Sequence, residues 1–368
     1  MSAKNFNPQD MLVHLTKNSS DLEARTGYLA VETIEPRRTV DMVAYLERTD
    51  FLSSIVANGK WVVYARLLKW PTAISILALP ELYYPESPAI ELGSMGFEYP
   101  ADRIRLLLDD NHLVLTDHEK EIGRIMNLNT ENGFQVVGGW DDDFVVQSVS
   151  NGVMVGFSRA DNEALQVRRF DNPSKPVFRK EMDIYDSYLT ANYLVVWDIN
   201  DGFHVWEHEE GENFSNHRVI DDCIDDRVFC NWHLVAVQDG HLFGFTHSKN
   251  IYGLDGTHPA VAPSILNLNE PEHLNFSEDR LVNIARHSFS YCGITDDRML
   301  VRGRSRTSYI PLKHELSYQL FSRETMDYEA TIRGALWANL VHTPEPAKVV
   351  GAWGEGYEAP QITAEKRF

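Results

Sequence analysis

Residues Tyr193–His208 read YLVVWDINDGFHVWEH. Two short runs rich in β-branched and aromatic residues flank Asp201-Gly202, a pair suited to the left-handed turn of a hairpin. The first run ends in Trp197-Asp198 and the second carries Trp206-Glu207. Neither run is long enough for a stable helix, and both end at turn residues. The segment therefore predicts two antiparallel strands.

The same unit recurs outward in both directions. An asparagine heads a short apolar run at Asn58 (before WVVYA), Asn111 (HLVL), Asn151 (GVMVGF), Asn192 (YLVVW) and Asn231 (WHLVAV), with spacings of 53, 40, 41 and 39. Each asparagine also follows an apolar run: FLSSIV, RIRLLL, FVVQSV, SYL and RVF. Asparagine tolerates left-handed backbone, so the pattern predicts strand, tight turn, strand. Further turn signals then introduce a third strand: DHEK before EIGRIM, RADN before EALQVRRF, DINDG before FHVWEH and QDG before HLFGFT. Three or four strands per roughly 40 residues cannot bury both sheet faces until neighbours stack on them, and this is the pattern of propeller blades. The expected fold is all-β: a β-propeller over residues 50–341, of seven blades at about 40 residues each.

The hairpin around Trp197-Asp198 and Trp206-Glu207 resembles the WD-repeat family, and Leu113–Asp117 (LVLTD) echoes Leu194–Asp198 (LVVWD). That resemblance covers about residues 50–250 at the level of the repeat. It implies a scaffolding role, with a substrate receptor of a ubiquitin ligase as one form. The first 50 residues carry no LPxE-type start of an F-box.

Outside the repeats, residues 1–49 are expected to form an arm. Pro8–Leu15 suits a short helix opened by Asn7, Thr39–Glu47 fits either helix or strand, and Tyr28–Ile34 is the expected ring-closing strand. Residues 342–368 contain Pro344, Pro346 and Pro360 with Gly351, Gly354 and Gly356, and are expected to be extended or disordered.

Charge narrows the partners. The 34 basic and 54 acidic residues give a net charge of -20, which opposes general nucleic-acid binding and attachment to anionic lipid. No apolar run approaches the roughly 18 residues of a membrane span, and the first ten residues lack the apolar core of a signal peptide. Cys223, Cys230 and Cys292 are odd in number and include no CxxC pair. The reading is a cytoplasmic or nuclear protein, a monomer or a subunit of a hetero-complex.

Against this acidic background, Arg302, Arg304 and Arg306 stand at alternate positions of VRGRSRTSY, with Arg298 and Lys313 close by. A strand would project the three guanidinium groups from one face. Arginine forks match carboxylate and phosphate, so the expected partner is a protein or an acidic or phosphorylated peptide. The plainer alternative is a basic stripe neutralised by the chain's own acidic loops.

Other constellations are weaker. His204-Val-Trp-Glu-His208 matches the H-x-x-E-H zinc-protease pattern, which needs a helix. In a strand the two histidines lie about 13 Å apart and cannot share one ion, so they are expected to be exposed beside a core Trp206. Asp141–Asp143, and Asp221, Asp222, Asp225 and Asp226, lack the spaced ladder of a calcium loop and fit solvated loops. No nucleophile elbow, phosphate-binding loop or dinucleotide fingerprint is present. No metal or cofactor is expected. The leading expectation is a non-catalytic interaction scaffold, with a propeller hydrolase or lyase carrying an axial site as the competing class.

Overall fold

A computed structural model describes residues 9–17, 27–33, 38–46, 55–66, 73–78, 89–91, 95–97, 104–117, 119–129, 133–159, 164–198, 202–220, 233–252, 259–271, 274–276, 290–306, 314–343 and 361–363. The fold is an all-β propeller. Its strands are β1 (Gln9–Lys17), β2 (Gly27–Thr33), β3 (Arg38–Leu46), β4 (Ile55–Ala57), β5 (Trp61–Arg66), β6 (Ala73–Ala78) and β7 (Ala89–Glu91). Next come β8 (Ile104–Asp109), β9 (His112–Asp117), β10 (Ile122–Asn129), β11 (Gly133–Asp141), β12 (Phe144–Ser150), β13 (Val153–Ser158), β14 (Ala164–Arg169) and β15 (Asn172–Lys180). They continue with β16 (Ile184–Leu189), β17 (Tyr193–Asp198), β18 (Gly202–Glu209), β19 (Glu212–Ile220), β20 (His233–Gln238), β21 (His241–Tyr252), β22 (Pro259–Asn267) and β23 (Leu274–Phe276). The last are β24 (Ser290–Ile294), β25 (Arg298–Arg306), β26 (His314–Ser322), β27 (Tyr328–Arg333), β28 (Ala335–Thr343) and β29 (Gln361–Thr363).

Two compact units divide the chain, residues 103–282 and residues 1–102 with 283–368. In the first of these, four antiparallel meanders follow one another: β8–β11, β12–β15, β16–β19 and β20–β23. Period-two alternation explains how they stack. On β17, Leu194 and Val196 enter the core shared with β12–β15, together with Val153, Val155, Leu165 and Trp206. Val195 points the other way, joining Phe203, Val205, Leu242 and Leu266 against β20–β23. The middle strand β17 is thus apolar on both faces, which is why LVV reads as a continuous run. Each fully buried Leu or Val contributes about 1.5–3 kcal/mol.

The turns between first and second strands use several devices. Asn151 and Gly152 sit at φ 50° and 75°, and Asp239 and Gly240 at 47° and 72°. Asp109, one sheet earlier, accepts hydrogen bonds from the Asn151 and Gly152 amides at 2.9 and 2.6 Å. In the second unit, the Asn58 side chain accepts the Lys60 and Trp61 amides. At the β16–β17 turn, Thr190 Oγ1 accepts the Tyr193 amide at 3.0 Å.

In the unit of residues 1–102 and 283–368, β4–β7 form one sheet, β24–β27 with β29 another, and β28-β1-β2-β3 a third that joins both chain ends. Several expectations are corrected here. Gln9–Lys17 is a strand and not a helix, because its backbone pairs along β28, with Leu12 across from Leu340 and Leu15 across from Trp337. That strand, not Tyr28–Ile34, makes the closing contact, and β2 pairs outside it. Arg38–Leu46 is a strand as well, so the described strands of residues 1–49 belong to a sheet rather than to an arm. In the tail, Gln361–Thr363 is an ordered strand on β27. Finally, His233–Gln238 opens its sheet instead of standing second, and Asp239-Gly240 is its first turn. Asn231 lies outside the described residues.

Candidate functional site

Arg298 and Arg302 lie on the same strand, β25, but in different surroundings. Arg298 Nη1 donates to Asp10 Oδ2 at 3.2 Å and its Nε to Glu329 Oε2 at 2.8 Å. Burial works against its charge, and Glu329 and Asp10 more than offset this, so its pKa is raised. Met299, Leu300 and Val301 are fully buried, whereas Arg302 is exposed. Tyr318 faces it across the ladder. Burial pushes that phenol up, Cys292 adds to the effect and Arg302 opposes it.

Among the described residues, the ladder past Arg302 consists of two strands. β24 starts at Ser290, opposite Arg302, and the β26–β27 ladder ends at Ser317, opposite Arg333. Gly303–Arg306 pairs with His314–Ser317 alone among the described residues. Arg302 therefore stands at the base of a two-stranded ribbon, and Arg304 and Arg306 occupy alternate positions along it. Glu315 is the one acid in the facing strand, across from Ser305. Lys313 lies outside the described residues.

A second polar constellation was not visible as a motif. The first strands β8, β12 and β16 carry Arg105, Gln147, Asp186, Ser187 and Tyr188. Arg105 donates to the Val146 and Gln147 carbonyls at 3.3 and 2.9 Å. Tyr188 donates to Asp186 Oδ2 at 2.8 Å, and Ser187 Oγ donates to Gln147 Oε1. Desolvation lowers the Arg105 pKa, with Asp186 and then Tyr188 opposing it. Burial, then Asp186, raises that of Tyr188 well above its ordinary value. The one available signal was spacing: the contacts between neighbouring first strands join residues 40 to 42 apart, the repeat length itself.

The H-x-x-E-H segment lies on β18, a strand. Contrary to expectation, His204 and His208 are both buried. His204 Nδ1 lies 2.9 Å from His217 Nε2, and the Trp206 ring stacks on both imidazoles. Burial lowers the His208 pKa, and that of His217 is lowered by burial, Lys180 and His204 in that order. Asp141, Asp142 and Asp143 engage Arg124, Arg168 and Ser158, with the Asp141 side chain still 71% exposed. Arg168 is buried, and its guanidinium also stands 4.1 Å over the Phe144 ring. Asp221, Asp222, Asp225 and Asp226 lie outside the described residues.

Propeller proteins are the class that this fold defines. No known protein family's sequence pattern matches the chain, and no curated protein does. Similarity appears in solved structures. A putative 6-phosphogluconolactonase from Bacteroides uniformis aligns with a TM-score of 0.52 at 12% identity, over 91% of this chain and 99% of that one. Apo AztD from Citrobacter koseri aligns at 0.51 and 7% identity, over 93% of this chain and 100% of that one. At such identities the likeness is one of fold.

Proposed function

We propose that the chain is a non-catalytic interaction platform on a seven-bladed propeller, and that it takes an acidic or phosphorylated segment of a protein partner along the β25–β26 ribbon. The observation that carries this reading is the change along one strand. Arg298 is consumed by Asp10 and Glu329, three buried residues follow, and Arg302 then opens to solvent at the start of a stretch that, among the described residues, pairs with β26 alone and carries two more arginines. Three arginines at alternate positions on a chain of charge -20 attract anionic segments locally while the remaining surface repels nucleic acid. Each arginine offers a planar fork, and a carboxylate or phosphate accepts two parallel hydrogen bonds from it. The seven sheets among the described residues support the blade number, and the joining of β1 to β28 suits closure of such a fold.

The test compares the protein with its R302A/R304A/R306A variant for capture of synthetic acidic and phosphoserine peptides on a random-sequence array. The expected result is loss of acidic and phosphorylated spots in the variant with an unchanged melting temperature. Equal capture by both proteins would remove the ribbon from the account.

A further inference from the structure

The sheet that carries the ribbon is also the one sheet of five strands among the described residues. Its fifth strand, β29, comes from the end of the chain and adds to β27 through three pairs: Thr331 with Thr363, Ile332 with Ile362 and Arg333 with Gln361. Seventeen residues, 344–360, separate it from β28, and Pro360 stands immediately before it. A three-residue strand held on a long connection is a weak local element, since ordering each residue costs about 1–2 kcal/mol and so few ladder bonds offset it.

We infer that the outer edge of β27 is a strand-addition site for an extended peptide, that β29 is the chain's own occupant of it, and that a partner segment of the same pattern replaces β29 there.

Strand β27 is more buried than the outer strands β11, β15 and β19. On β11, β15 and β19, Val136, Val177 and Val219 are 50%, 44% and 50% exposed. On β27, Thr331 and Ile332 are 1% and 0% exposed, and Ile332 belongs to the core with Leu300, Tyr318 and Leu340. Without β29, this buried strand would present unpaired amides and carbonyls, the template that strand addition uses. The edge also states a preference. Arg333 Nε is buried and has no hydrogen-bond partner, and the position across from it holds Gln361, a neutral side chain. Directly opposed residues have Cβ atoms about 4.5–5.5 Å apart, within reach of a carboxylate. The favoured partner is therefore an extended segment with an acid opposite Arg333 and a β-branched residue opposite Ile332. This rests on β27 and β29 alone, so it stands or falls independently of the ribbon.

The experiment uses the full chain. Fluorescein-labelled EAPQITAEKRF and its Gln→Glu counterpart EAPEITAEKRF are titrated by anisotropy into the wild type and into the I362P/T363P variant, which cannot form the β29 ladder. An intramolecular competitor acts at an effective concentration of around a millimolar. The variant is expected to bind the peptides at least tenfold more tightly than wild type. The Glu peptide is expected to bind several-fold more tightly than the Gln peptide, and R333Q to abolish that difference. Equal binding by wild type and variant, or none by either, overturns the inference. So does a dimer of the wild type that the variant lacks, because the tail would then be exchanged between copies. Hydrogen exchange on the unaltered protein gives a readout free of mutation. Excess EAPEITAEKRF added in trans should leave the Thr331–Arg333 amides protected while freeing those of Ile362 and Thr363, and retention of tail protection overturns the displacement.

Discussion

Arg298 and Asp10, 288 residues apart, meet at 3.2 Å and fasten β25 to the N-terminal strand. The Asp10 side chain is almost completely buried, and it also accepts from Thr295 Oγ1 at 3.1 Å and contacts His342 Nδ1 at 3.2 Å. Removing Asp10 takes the shared acceptor from Thr295, Arg298 and His342 and leaves Arg298 with Glu329 alone of its two carboxylates. D10A is expected to lose about 3 kcal/mol in urea unfolding. Protease cleavage should also move to residues 1–26, since β1 is held at one side by β28 and at the other by β2.

Arg302 should behave differently from Arg298 despite its identical chemistry. It is solvent-exposed, so R302A is expected to change stability by no more than about 0.5 kcal/mol, whereas R298A leaves Asp10 and Glu329 unneutralised and should cost several times more. Thermal melts of the two single variants at equal ionic strength check the contrast.

Gly123 provides a test of the packing. It pairs with Trp140 across the β10–β11 ladder, and a Cβ built on it would fall 2.0–2.3 Å from three atoms of the indole ring. Trp140 also donates its Nε1–H to the Phe144 carbonyl at 3.1 Å and is buried. G123A must displace that ring. The expected outcome is a loss of about 1–3 kcal/mol with a red shift of tryptophan emission.

His208 and His217 predict how stability depends on pH. His208 Nδ1 accepts the Gly211 amide at 3.1 Å, and its Nε2 is buried without a partner, so the fold favours the neutral ring. Its pKa, and that of His217, lie below the ordinary value of 6.5. The unfolded chain therefore binds more protons as pH falls through that value, and stability present above it is lost below it. Urea midpoints should fall between pH 7.5 and pH 5, and H208Q should flatten that slope.

The interior of the repeat was legible because its physics is local. Leu194, Val195 and Val196 are apolar on both faces, and the positive φ of the Asn151-Gly152 turn follows a local backbone preference. The ends were harder to read. Gln9–Lys17 carries no helix-excluding signal, and what makes it a strand is β28, more than 300 residues away. After residue 220, asparagine spacing places Asp239-Gly240 at the second turn of its sheet, whereas it joins β20 to β21, the first two strands described there. At the site, period two placed Arg302, Arg304 and Arg306 on one strand. It had no means of separating Arg298 from them, because Asp10 and Glu329 are remote in sequence. The Arg105–Asp186–Tyr188 set escaped for the same reason, having no short motif and only the repeat length to link it.

The central claim is that the β25–β26 ribbon binds acidic partners through its arginines. A fluorescein-labelled peptide of alternating glutamate and phosphoserine, titrated by anisotropy at 50 and 300 mM salt, tests it most directly. The account predicts saturable binding that weakens at least tenfold at the higher salt and disappears in R302A/R304A/R306A at an unchanged melting temperature. Binding of equal strength and equal salt dependence in the triple variant would contradict it.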